Sequence, residues 1–138
     1  MEFLRTIADA LFGCILDANA DDYGIITNSD VLMWILIFLF IVTIITVMTF
    51  YYGVAKVAAN ATKKNYIVVF FLGLLVLWLA NLIVIPTIVD DWSYAFDKNN
   101  ILLSFIDSIY YVVLYEIVSL FAKDGSNAKH LHLLNCFS

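Results

Sequence analysis

The sequence predicts an all-α, polytopic membrane protein: three transmembrane helices preceded by an amphipathic helix that lies in the interface. Three observations carry this expectation. The 138 residues are 64% hydrophobic and only 14% charged, far from the soluble norm of about 45–50% apolar and about 25% charged. Three apolar runs, 31–52, 66–89 and 101–122, each reach the roughly 20 residues that a helix needs to cross the hydrocarbon of a bilayer. The charges outside these runs alternate in sign from one connection to the next. A soluble helical bundle is disfavoured because its helices would need polar faces, and the first two runs contain no charged residue. What remains beside the runs is too short for a separate soluble domain, so residues 1–138 read as a single membrane domain.

Residues 3–17 form the first predicted element. At the helical period, Leu4, Ile7, Ala8, Leu11 and Ile15 gather on one arc, and Glu2, Arg5, Thr6, Asp9, Gly13 and Asp17 fill the opposite one. Such a helix can lie in the interface plane of a bilayer or dock on a partner's apolar surface. Its polar face is acidic, so attraction to anionic lipid is not what would hold it. The opening Met1-Glu2-Phe3-Leu4-Arg5 is not the basic segment of a signal peptide, and the first span is expected to act as an uncleaved insertion signal. A turn is expected over 19–24, and Asn28, Ser29 and Asp30 are candidate N-caps for the first span.

The first span, 31–52, places Trp34 near one end and Phe50, Tyr51 and Tyr52 at the other, the arrangement of interfacial aromatic belts. Thr43, Thr46 and Thr49 recur every third residue. They either form a polar seam against a neighbouring helix or bond their own preceding carbonyls, and the second is favoured. The link over 53–65 contains no proline and reads as a helical extension and a turn, giving an αα-hairpin. In the second span, 66–89, Pro86 removes a helix hydrogen bond and crowds the carbonyl of Leu82, so a kink is expected there. Asn81 beside it is costly against lipid and is expected to join helices together.

The third span, 101–122, is distinctive because it holds two acids, Asp107 and Glu116. Ser104, Asp107, Ser108, Tyr111, Tyr115 and Ser119 fall within about 120° of one another around a helix, a polar stripe that should face protein or water. Asp107 and Tyr111 are four residues apart and can meet on the helix surface. Glu116 follows Asp107 by about two and a half turns, so the acids point to opposite sides and cannot share a proton. No Lys, Arg or His lies within any span. The acids are therefore expected to be neutral, to face water, or to meet a group on another chain, since an acid at mid-bilayer costs about 2.5–3.5 kcal/mol on insertion scales. Residues 123–138 make a short inner tail that is moderately apolar.

Topology follows from the cations. Lys56, Lys63, Lys64, Lys123 and Lys129 fall on one side and Arg5 and Lys98 on the other. The positive-inside rule then places the N-terminus outside and the C-terminus inside. Cys14 and Cys136 would lie on opposite sides and could not form a disulfide, and the Asn60-Ala61-Thr62 sequon would lie inside, away from glycosylation.

The sequence contains no G-x-S-x-G, P-loop, H-E-x-x-H or C-x-x-C motif, and no enzymatic activity is expected. His130 and His132 are the only histidines; with no clustered third ligand they do not predict a metal site, and no cofactor is expected. A net charge of −5 without a basic patch speaks against nucleic-acid binding. The expected partners are the lipid bilayer and other membrane subunits, with unlike subunits favoured over further copies of the chain. The contact residues expected within the membrane are Asn81, Ser104, Asp107, Tyr111, Tyr115, Glu116 and Ser119. The functional expectation is a non-catalytic accessory subunit of a larger membrane assembly, such as a respiratory, secretion or virion-membrane complex. The second reading is a self-oligomerising ion or proton channel using Asp107 and Glu116. In size and topology alone the chain resembles some small phage holins, from which its weakly charged tail departs.

Overall fold

A computed structural model describes residues 2–12, 31–90, 92, 96, 98–123, 126 and 131. The described secondary structure is all helical: α1 (Glu2–Phe12), α2 (Val31–Tyr52), α3 (Lys63–Leu79), α4 (Ile85–Ile88) and α5 (Lys98–Ala122). A π-helical turn, Ala80–Val84, joins α3 to α4, and two 3₁₀ turns, Val54–Lys56 and Ala58–Asn60, lie between α2 and α3. Three helical stretches, Val31–Lys56, Lys63–Ile88 and Asn99–Ala122, are long and apolar enough to cross a membrane. The helix α2 coincides with the first predicted span. The other two begin earlier than the apolar runs. Lys63 and Lys64 join α3 because Thr62 caps it: its Oγ1 accepts the Asn65 main-chain N–H at 3.2 Å. Asn65 also donates through Nδ2 to the Asn60 carbonyl at 2.9 Å.

The chain divides into two compact units, Met1–Phe40 with Leu77–Ile109, and Ile41–Val76 with Tyr110–Ser138. Each of α2, α3 and α5 supplies residues to both.

In the first unit, Val31, Leu32, Met33, Ile35, Leu36 and Leu39 are all buried. On α1, Ala8 and Phe12 are fully buried and Leu4, Ile7 and Leu11 partly so, while Glu2, Arg5, Thr6 and Asp9 are exposed. Phe3 is 75% exposed. Ile15 and Asp17, the turn over 19–24, and the caps Asn28, Ser29 and Asp30 lie outside the described residues, as do Cys14, Cys136, His130 and His132.

The second unit is built around six aromatic rings. Phe50 meets Tyr51 and Tyr66 at centroid distances of 5.1 Å each, Tyr66 meets Tyr115 at 5.7 Å, and Phe70 meets Tyr115 at 4.9 Å and Tyr111 at 5.2 Å. Most of these pairs are edge-to-face, the arrangement that the ring quadrupole favours. Phe50 and Tyr51 are therefore core residues and not belt residues; of the three aromatics that end α2, only Tyr52 is exposed. The threonine row also separates. Thr43 is fully buried, Thr46 packs on Gly73, and Thr49 faces outward. The tail is tied down at two described points: the Tyr51 hydroxyl donates to the Leu131 carbonyl, and Ser126 Oγ donates to the Tyr51 carbonyl at 2.7 Å.

Most outward-facing positions on the long helices are apolar. They include Ile41, Ile44 and Ile45 of α2, Phe71, Leu72 and Leu75 of α3, and Ile109, Val113 and Phe121 of α5. Exposed apolar surface this continuous calls for lipid or protein against it.

Asp90, just past α4, has φ 55°, the left-handed region, which costs a residue with a Cβ more than it costs glycine. A carboxylate at this end also opposes the helix dipole. Asp90→Gly is expected to stabilise the protein by about 0.5 kcal/mol, read as a small rise in the thermal midpoint in detergent; a lower midpoint would show that the Asp90 side chain makes a contact worth more than the relieved strain.

Candidate functional site

The polar stripe predicted on the third span is the buried face of α5. Asn100, Ser104, Asp107, Tyr111, Tyr115 and Ser119 are all fully buried. Their spacing of three or four residues keeps them on one side of the helix. Ser108, at the stripe's edge, is partly buried and accepts the Trp78 indole N–H at 2.7 Å. Within the stripe, Ser104 Oγ bonds the Asn100 carbonyl at 3.0 Å and Ser108 Oγ the Ser104 carbonyl at 2.9 Å, so both serine donors are satisfied inside their own helix.

The first unit gathers the expected polar residues into a site around Asn81. Asn81 Nδ2 donates to Asp107 Oδ2 at 2.9 Å, and the two residues are 1% and 0% exposed. Asp107 thus has a neutral amide of the same chain as a partner. Two oxygens of this pair, Asn81 Oδ1 and Asp107 Oδ1, are buried and have no hydrogen-bond partner among the described residues. Leaving such groups unmatched is costly in an apolar interior.

Backbone chemistry explains why Asn81 sits where it does. Pro86 has no N–H to give to the helical ladder. The chain responds with a π turn over Ala80–Val84, in which the Ile85 N–H reaches back to the Ala80 carbonyl. The next donor in that register would be Pro86, and its acceptor would be the Asn81 carbonyl. Asn100 Nδ2 takes the missing donor's place at 3.4 Å, a long bond by the usual range of about 2.7–3.2 Å. Beyond the proline, Thr87 Oγ1 donates to the Ile83 carbonyl at 2.9 Å. Pro86 therefore acts through a π turn that begins before it. Such turns recur at functional positions because they present backbone and side-chain groups that a regular helix hides.

The remaining stripe residues belong to the second unit. The Tyr111 hydroxyl donates to the Phe70 carbonyl at 2.8 Å, and the Tyr66 hydroxyl shares a hydrogen bond with Ser119 Oγ at 3.0 Å. Tyr115 packs against Tyr66, Phe70 and Tyr111. The bonds of Asp107 and Tyr111 thus run to different residues of the second span, Asn81 and Phe70, and not to each other. Glu116 is separated from the stripe, as its angular position requires, and is partly exposed beside the exposed Val112, Val113, Ile117 and Leu120.

Sequence reasoning missed Asn100, Tyr66 and Trp78 as site or core residues. A signal for the first is present: Asn100 lies four residues before Ser104 and continues the stripe one turn outward, but it adjoins a polar loop and precedes the apolar run. Tyr66 and Trp78 carried no such signal, because α3 is apolar on all sides and shows no preferred face.

No protein-family model, curated protein or solved structure matches this chain.

Proposed function

We propose that the chain is a non-catalytic integral membrane protein that serves as a structural or accessory subunit of a larger assembly, of the kind found in respiratory, secretion or virion membranes. On this reading it crosses the bilayer three times, with the N-terminus outside and the C-terminus inside. The observation that carries the proposal is the exposed apolar surface of the long helices, which includes Ile44 and Ile45 of α2, Leu72 and Leu75 of α3, and Val113 and Phe121 of α5, and which calls for lipid or protein against it. Glu116, partly exposed beside Val112, Val113, Ile117 and Leu120, adds a carboxyl to that surface. The other polar groups support a structural role, since Asn81, Trp78, Tyr66 and Tyr111 each bond from one helix to a different one. In the second reading, a self-oligomerising channel or holin-like pore, the burial of Asp107 leaves Glu116 as the acid able to line a path.

Native mass spectrometry after gentle detergent extraction from the source membrane tests the proposal. Unlike partners at fixed stoichiometry are expected, in lower yield from Glu116→Gln. A pure homo-oligomer would overturn the subunit reading, and planar-bilayer conductance of the same variant would then test the pore.

A further inference from the structure

We propose that the Asn81–Asp107 pair is a binding site for a single monovalent alkali cation, held between the π turn and α5. Asn81 Oδ1 and Asp107 Oδ1 are both acceptors, are both buried, and have no donor among the described residues. They belong to side chains already locked together by the 2.9 Å bond from Asn81 Nδ2 to Asp107 Oδ2. A cation bridging these two atoms would satisfy both without breaking the existing bond.

The chemistry of the surroundings selects the ion. All the available ligand atoms are oxygens, which suit hard cations. A third belongs to the same residue: the Asn81 carbonyl, whose donor in the π register would be Pro86 and which accepts the 3.4 Å bond from Asn100. Interrupted helices within membranes bind small cations through such unwound carbonyls. Charge decides between valences. The site contains one carboxylate, and among the described residues no group of three or more His, Cys, Asp or Glu forms a metal site. A monovalent ion balances that carboxylate, whereas a divalent ion would leave an uncompensated positive charge in a low-dielectric interior. The bound ion would join the two helices at the point where the hydrogen-bond ladder of one is interrupted.

The test is the thermal midpoint of the full chain in detergent, with sodium, potassium or choline chloride at constant ionic strength. Choline cannot enter a two-oxygen site and controls for screening. A rise of about 4 °C or more in sodium or potassium over choline, saturating with concentration, is expected from ligand linkage, and the better of the two salts names the ion. The increment should vanish in Asp107→Asn, which keeps the shape but removes the charge, and persist in Asp9→Asn, an exposed carboxylate on α1. Equal midpoints in all three salts for the unaltered chain would overturn the proposal, with no variant required. So would an increment that survives Asp107→Asn. The outcome is independent of whether unlike subunits are found.

Discussion

Replacing Asn81 with leucine is expected to lower the unfolding free energy by about 2–3 kcal/mol. Polar contacts between membrane helices are worth only about 0.6 kcal/mol on average and reach about 1.7, so the lost hydrogen bond alone would not explain a larger effect. The decisive contribution is the Asp107 carboxyl, fully buried and deprived of the Nδ2 donor that serves it at 2.9 Å. An orphaned buried polar group adds about 1–3 kcal/mol. The prediction is sharpened by its partner. Asn81→Leu combined with Asp107→Leu should recover most of the loss, since two apolar side chains of similar bulk leave no unmatched group. A double-mutant cycle in detergent unfolding should therefore show a coupling of about 2–3 kcal/mol. Additive single losses would mean that the two side chains do not depend on one another, and the site described around Asn81 would be wrong.

Enlarging Gly73 is expected to have a comparable effect through the second unit. A Cβ at this position would lie 2.7 Å from Thr46 Cγ2 and 2.8 Å from Thr46 Oγ1, and closer still to the Tyr111 hydroxyl. None of these approaches is tolerated by real side chains, so either α2 and α3 move apart or Tyr111 turns away and gives up its bond to the Phe70 carbonyl. Overpacking of this kind costs about 1–3 kcal/mol, with Gly73→Ala at the lower end and Gly73→Val at the upper. Small residues at helix crossings in membranes matter for this reason, since they allow backbones to approach closely. Thr46→Ala placed on Gly73→Ala removes two of the three collisions and should return part of the stability. If Gly73→Val melts like the parent chain, the close approach of Thr46 and Tyr111 to α3 is not present in the folded protein.

The two variants probe parts of the molecule that the sequence made legible to different degrees. The stripe on α5 could be read from spacing alone, because serines, tyrosines and an acid gathered on one side of a mostly apolar helix mark that side as polar. All six members named from that spacing are buried or nearly so. The opposite placement of Glu116 followed from the same arithmetic. The helices α2 and α3 offered no comparable mark. Their apolar residues lie on every side, so burial could not be assigned to a face, and the belt pattern of Phe50 and Tyr51 gives no sign that their rings belong to the six-ring core. Position along a span predicts depth in a bilayer. It carries no information about the direction in which a side chain points.

What the sequence determined by itself is local: three apolar runs long enough for a membrane, the limits of α2, the inward face of α5, and a proline that must disturb the second span. These depend on length, period and a missing N–H, which are properties of one segment at a time. Tertiary structure alone decided that the disturbance is a π turn over Ala80–Val84, that Asn100 supplies the donor Pro86 lacks, that Asn81 is the partner of Asp107, and that Gly73 lies under Tyr111 and Thr46. Each of these joins residues on different helices. They depend on the axial and rotational register of helices whose apolar surfaces fit one another in many ways, and polar pairing together with close packing selects one of those ways.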